Sequence, residues 1–182
     1  IDMDHVAESN INRQVHAIEP TIGQAKVLAM QERIALINSD CTVHCVDDFV
    51  TADNWTDLVP QDATAVLDAC DQVSAKVAMA AWALCDRNFP FVTVGAAGGK
   101  RQAYKVDVAD LGDVTHDPLM AKVRYELRKA YGAPKGGKKM GLACVFSTEP
   151  VQAPDASCGA AGDSTLNCHG YGSSVTVTAT FG

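Results

Sequence analysis

Apolar and polar positions follow several distinct periods along this chain. Between Gly23 and Asn38 the side chains Val27, Met30, Ile34 and Ile37 recur every three or four residues, the spacing of one helix face, and predict a helix. Residues 42–46, 65–68 and 91–95 are short apolar or β-rich runs bounded by polar residues or by Gly and Pro, and predict parallel strands. The Ala-rich stretch 73–87 is long enough for a helix and is closed by Asn88 and Pro90. Strand, helix and strand in that order predict a right-handed βαβ crossover and an open, mostly parallel α/β sheet flanked by helices. Residues 1–4 read as the end of a buried strand that delivers Asp2 and Asp4 at its carboxyl edge.

Beyond Gly95 the pattern changes. Residues 95–100 (GAAGGK) form a glycine loop, 102–108 predict a strand, 118–131 a helix, 132–141 a loose basic loop and 142–148 a further strand. Residues 150–172 are rich in Gly, Ser, Ala and Asp without periodicity and predict a long surface loop. On propensity alone the alternating β-branched residues of 173–181 (SSVTVTATF) predict a strand. No internal repeat is visible.

Composition narrows the class. The 182 residues fit one domain, and with 47% hydrophobic and 20% charged residues the chain can bury a core, which excludes a disordered tail. The longest apolar run, 77–85, is far short of the roughly 20 residues a membrane helix needs. No signal-peptide pattern opens the chain, which does not begin with Met and reads as an excised piece. Seven cysteines, an odd set without any CxxC pair, point to neither a disulfide framework nor a zinc ribbon and favour a reducing cytoplasm. Cys70 and Cys85 lie inside apolar patterns and read as buried small hydrophobes.

The formal net charge of −7 is unevenly placed. Residues 120–140 carry Lys122, Arg124, Arg128, Lys129, Lys135, Lys138 and Lys139 against Glu126, a balance of +6 that leaves −13 on the rest. Such a segment could dock a polyanion such as a nucleic acid; a solvated helix face followed by a loop is the plainer explanation.

Candidate chemistry gathers at three places. In doubly wound folds an acid after the second strand holds ribose hydroxyls about 20 residues after a glycine fingerprint, so if Asp2 is that acid the fingerprint lies upstream of this chain. The string Ser9, Asn10, Ile11, Asn12, Arg13, Gln14, followed by Gly23 and Lys26, offers amides, a guanidinium and an ammonium to a triphosphate. DACDQV (residues 68–73) puts acids at a strand end. Asp71 there is either a helix cap or a carboxylate facing Mg²⁺ and phosphates.

IDMDHVAESNINRQ, GQAK and LDACD resemble the motifs of the E1-like ThiF/MoeB/HesA superfamily, whose members adenylate a carboxylate with MgATP. VTVGAAGGK, HDPLMAKVR, ACVFSTE and SVTVTATFG resemble one branch more closely, the tRNA threonylcarbamoyladenosine dehydratases, a branch also associated with a sulfur-acceptor system. The resemblance spans essentially all 182 residues. It implies a Rossmann-like E1-type adenylation fold, a single domain over 1–182 that lacks the upstream glycine-rich loop and a C-terminal helix, and a homodimer. It also implies that 175–181 belong to a helix, against propensity, and that related enzymes continue past Gly182, where an apolar segment could associate with a membrane.

By the same resemblance Asp2 is the ribose ligand, Ser9, Asn10, Asn12 and Arg13 form the nucleotide loop, Lys26 binds phosphate, and Asp71, with Gln72 beside it, is the Mg²⁺-associated acid. Arg13, Lys26 and Asp71 are then the catalytic set. The implied activity is that of an ATP-dependent adenylating ligase and dehydratase, which cyclises N6-threonylcarbamoyladenosine in tRNA through carboxylate adenylation. The chain itself, without the glycine loop, is expected to be inactive. Cys168 resembles the cysteine of some E1-like enzymes. Because the attacking group is on the substrate, it reads better as a thiol for exchange with a sulfur-acceptor partner. Two alternatives stand: adenylation of the C-terminus of a ubiquitin-like sulfur carrier, and a nucleotide-binding scaffold without chemistry. The paired CxxC zinc knuckles common in sulfur-carrier activators are absent, which favours the tRNA branch.

Overall fold

A computed structural model describes residues 1–85, 89–152 and 175–181. They fall into two compact units, Ile1–Leu58 and Val59–Gly182.

The first unit is built from turns and one long helix. Single-turn 3-10 helices at Glu8–Asn10 and Glu19–Thr21 precede α1 (Lys26–Ile37), and α2 (Trp55–Leu58) follows. The helix begins three residues later than its apolar periodicity suggests, because residues 23–26 are laced to residues 4–6. Val6 N–H donates to Gln24 O, Gly23 N–H to Val6 O and Lys26 N–H to Asp4 O, each at 2.8 Å. Gly23 carries φ +84°, a left-handed conformation that costs a residue without Cβ little. Val6, Ala17 and Ala29 form the small core of this unit. Of the predicted helix face, Val27 is buried, Met30 and Ile34 are half-buried and Ile37 is exposed.

Neither 1–4 nor 42–46 is a strand. One hydrogen bond, Asp2 N–H to Val46 O at 3.1 Å, joins the two segments, and His5 and Ala25 form an isolated bridge. A strand needs a repeating ladder, so local β-propensity did not suffice there.

The second unit holds β1 (Val66–Asp68), α3 (Val73–Cys85), β2 (Phe91–Val94), β3 (Val106–Asp110), α4 (Pro118–Ala130), β4 (Ala143–Ser147) and α5 (Val175–Phe181). The sheet order is β1-β2-β4-β3. β1, β2 and β4 run parallel, with Asp68 opposite Thr93 and Thr93 opposite Cys144; β3 is antiparallel to β4. The mostly parallel sheet flanked by helices is thus as anticipated. The strand predicted over 102–108 is displaced, because 103–105 close into a 3-10 turn and pairing with β4 begins only at Val106.

Alanines at 75, 78, 80, 81 and 83 are buried on α3, and their small side chains let it lie close to α4 and β2. From α4 come Leu119, Met120, Val123 and Leu127, and from β4 Cys144 and Phe146. Asp117 caps α4 by accepting the Met120 N–H at 2.9 Å, Pro118 occupies the first turn, and Arg128 and Lys129 sit in the last turn against the negative end of the helix dipole. Residues 175–181 are helical despite their β-branched composition: Val177 and Phe181 are buried, and the helix packs on β3 and the 103–105 turn. Burial of that face overrides propensity. Cys85 is exposed and Cys70 half-buried, so neither is the fully buried hydrophobe expected. Most of the predicted surface loop 150–172, with Cys158 and Cys168, lies outside the described residues. Among the described residues no helix is long and apolar enough to cross a membrane.

Candidate functional site

In the first unit the backbone lacing of 4–6 to 23–26 brings Lys26 onto Asp4. Lys26 Nζ lies 2.7 Å from Asp4 Oδ2, with side chains 15% and 60% exposed. Asp2 accepts the Asp4 N–H at 2.8 Å through Oδ1, which fixes the acidic pair as a local turn. The Ser9–Gln14 loop is held by its own side chains. The Asn10 amide oxygen accepts the Ala7 N–H at 3.0 Å, and Arg13 Nη1 donates to Ser9 O at 2.8 Å and to Asn12 Oδ1 at 2.9 Å. Asn10 is buried; Ser9 and Asn12 are exposed and Arg13 is half-exposed. The remaining guanidinium nitrogens of Arg13 carry no hydrogen bond among the described residues, so the loop presents a cation already fixed in direction.

Behind this loop His16 is buried, with Gln14 beside it in sequence. Burial first, and then the Lys26 charge, hold the His16 imidazole below its ordinary value of 6.5, while Asp2 acts in the opposite sense. The Thr21 hydroxyl anchors the turn, donating to His16 O at 2.7 Å and accepting the Ile18 N–H at 3.0 Å.

In the second unit the carboxyl ends of β1 and β2 carry a buried polar cluster. Lys76 Nζ, from α3, lies 3.0 Å from Asp68 Oδ2 and also donates to Thr93 Oγ1 at 3.2 Å and Val94 O at 2.8 Å. The Thr93 hydroxyl donates to Asp68 Oδ2 at 2.7 Å. Cys70 Sγ lies 3.1 Å from Asp68 Oδ1. Burial, followed by the Asp68 charge, pushes the Cys70 thiol up to about 12, and burial does the same to Cys144. Neither is a ready thiolate.

Asp71 and Gln72 follow this cluster and are both exposed. The Asp71 carboxylate has no hydrogen-bond or ion-pair partner among the described residues. A single unpaired carboxylate suits Mg²⁺, which takes one or two such ligands and completes its shell with phosphate oxygens and water. Among the described residues no cluster of three His, Cys, Asp or Glu side chains could hold a metal by protein ligands alone.

The glycine-rich segment after β2 is tied down by a second buried network. Lys100 Nζ donates to His116 O at 2.8 Å and to Glu149 O, and burial lowers its pKa against the opposing Asp117 and Glu149 charges. Glu149 Oε2 accepts the N–H groups of Arg101 and Gln102 at 2.9 and 2.8 Å. Asp117 Oδ2 accepts the Ala96 N–H at 2.9 Å. His116, between Lys100 and the α4 cap, adopts φ 56°, an uncommon conformation for a residue with a Cβ.

Of the basic segment, Lys122, Lys129, Lys135, Lys138 and Lys139 are exposed. Arg124 instead donates to Val114 O at 2.8 Å and Arg128 to Pro134 O at 3.0 Å, so both brace backbone.

Of the residues to which the motifs point, Asp2, Ser9, Asn10, Asn12, Arg13 and Lys26 all lie in the first unit, and Asp71 and Gln72 lie in the second. The motifs give no sign of Asp4 as the partner of Lys26, of the buried His16, or of the partnerships of Asp68 with Lys76 and of Lys100 with Glu149. Lys76 was detectable in part: a charged residue in the midst of an Ala-rich apolar helix demands a buried counter-charge.

The ThiF family model matches residues 1–180. The chain is 43% identical over 192 residues to the tRNA threonylcarbamoyladenosine dehydratase of Escherichia coli (strain K12), with 100% of this chain and 71% of the relative covered. It is 41% identical over 185 residues to the protein of the same name from Haemophilus influenzae, covering 100% and 70%. Solved structures of the E. coli dehydratase in complex with ATP and with AMP each superpose with a TM-score of 0.86 at 40% identity, covering 99% of this chain and 68% of theirs.

Proposed function

The chain belongs to the ThiF family, and from that premise we propose that the full-length protein catalyses the ATP-dependent dehydration of N6-threonylcarbamoyladenosine in tRNA. The threonine carboxylate of the modified nucleoside attacks the α-phosphorus of ATP, pyrophosphate leaves, and an acyl adenylate forms. The carbamoyl group of the same modification then attacks the activated carbonyl carbon and gives up a proton, AMP departs, and the ring closes with net loss of water. Hydroxide, a poor leaving group, is thereby replaced by AMP. No protein nucleophile is needed, since the attacking group is already tethered to its target.

The protein's part is positioning and charge stabilisation. Asp2 receives the ribose hydroxyls, and Ser9, Asn10, Asn12 and Arg13 line the phosphates. Lys26 exchanges its Asp4 partner for a phosphate, and Asp71 with Gln72 meets Mg²⁺, which would neutralise charge on the leaving pyrophosphate. The chain acts as one adenylation domain, in the cytoplasm and as a homodimer. Exposed lysines of α4 and the following loop meet tRNA, and Cys168 serves a sulfur-acceptor partner.

The observation that carries this reading is the likeness, over 99% of this chain and 68% of the solved one, to an enzyme whose solved complexes hold ATP and AMP, together with an Arg13 pre-set by its own loop. Mass spectrometry of tRNA nucleosides from cells with and without the full-length gene tests it. The cyclised nucleoside should vanish on deletion and return on complementation. Persistence of the cyclised form in the deletion strain would reject the assignment.

A further inference from the structure

Two side chains at the end of the Ser9–Gln14 loop hold buried polar atoms without a partner among the described residues: Gln14 Oε1 and both ring nitrogens of His16, Nδ1 and Nε2, are hidden from solvent and make no hydrogen bond there. His16 is 8% exposed. A buried polar atom left unpaired costs the full desolvation penalty of that group, so a fold retains such a pair where something else takes up the bonds. The charges acting on the His16 ring are those of Lys26 and Asp2. These are the residues read above as phosphate and ribose ligands. Held neutral by its surroundings, the imidazole offers one donor and one acceptor, which matches a ribose hydroxyl on both counts.

We propose that His16 is a further nucleotide-contact residue: as the loop adjusts to ATP, its imidazole hydrogen-bonds the ribose–phosphate portion that Asp2 and Lys26 also receive. This rests on the ATP-site reading above. Gln14, unsatisfied in the same loop, belongs to the same adjustment.

The physical signature is an opposition between stability and binding. Replacing an unpaired buried polar group by an apolar one of similar volume is close to neutral or stabilising, whereas replacing a histidine with an essential internal bond is destabilising. In the full-length protein, His16→Leu should therefore keep or raise the thermal midpoint while weakening ATP binding at least about tenfold by calorimetry. His16→Gln, which keeps a donor and an acceptor, should stay within about threefold of wild type. A His16→Leu protein that binds ATP within twofold of wild type, or one that loses affinity only in step with its midpoint, overturns the inference. A second measurement needs no substitution in the core: in ¹⁵N-histidine spectra of the wild type, the His16 ring signals should move on addition of ATP, and unmoved signals overturn it equally. Wild-type protein that binds no ATP rejects the ATP-site reading itself, whereas ATP binding indifferent to His16 rejects only this inference.

Discussion

Lys76 Nζ and Asp68 Oδ2 lie 3.0 Å apart with both side chains wholly buried, at the point where β1 hands over to the loop carrying Asp71. Buried pairs of this kind contribute little over an apolar replacement of both partners, but removing one partner strands the other. Lys76→Met should destabilise the protein by about 3–5 kcal/mol, as read by chemical denaturation. Adding Asp68→Asn to it should recover part of that loss. Additive losses in the double variant would mean that the two residues are not coupled.

Gly95 packs so closely on Asp117 that an added Cβ would collide with Asp117 Oδ2, the oxygen that accepts the Ala96 N–H. Asp117 Oδ1 meanwhile caps α4. Gly95→Ala should dislodge the cap and cost about 1–3 kcal/mol. In an Asp117→Ala background the same substitution should cost far less. An equal cost in both backgrounds would show that the collision with Asp117 is not its origin.

Burial alone would raise the Glu149 carboxyl, but the N–H groups of Arg101 and Gln102, with Lys100 beyond, hold it below its ordinary 4.5. A depressed folded-state value gives stability that is fully present above the unfolded-state value and is lost as pH falls through the folded one. Stability should accordingly decline as pH drops below about 4.5. Glu149→Gln should be less stable by about 2 kcal/mol at neutral pH and should show a shallower acid decline. Denaturation midpoints across the acid range provide the check, and an unchanged slope in the variant would exclude Glu149 as a source. Asp110, held low by the N–H groups of Gly112, Met140 and Gly141 against its burial, adds to the slope in the same sense.

Arg13→Ala and Asp71→Ala should each abolish ATP turnover in the full-length protein with thermal midpoints close to wild type, because neither side chain belongs to a core. Cys168→Ser should keep substantial dehydration activity. Complete loss of cyclisation in that variant would require a covalent enzyme intermediate.

Lys135, Lys138 and Lys139 are exposed in a loop whose Gly136 and Gly137 have positive φ. Their joint replacement by alanine should weaken tRNA binding across sequences and flatten its salt dependence, by up to about one unit of log–log slope for each phosphate no longer neutralised. ATP affinity should stay constant. Arg124 and Arg128 are poor choices for this test because they support backbone carbonyls. Equal tRNA affinity of wild type and triple variant at low and high salt would leave the loop as solvated surface.

What the sequence determined by itself was whatever depends on neighbours in the chain. Periodicity marked α1, α3 and α4, and short apolar runs marked β1, β2 and β4, since a helix or a buried strand needs a particular alternation of side chains wherever it lies. The candidate loop from Ser9 to Arg13, with Lys26, stood out for a similar reason: several side chains of the type that can bind phosphate fall within one short string, and its likeness to the ThiF family was visible in the motifs themselves.

The tertiary structure decided what depends on distant parts of the chain. Residues 42–46 have strand propensity yet find no ladder, whereas 175–181 have the same propensity and become a helix because Val177 and Phe181 bury against β3 and the turn before it. No local pattern could announce that Asp4 would meet Lys26 across 22 residues, that Lys100 would reach Glu149 across 49, or that the His16 nitrogens would be buried without a partner among the described residues. Propensity is a matter of tenths of a kcal/mol per residue, whereas burying a charge or an apolar face is a matter of whole ones, so the long-range partners prevail.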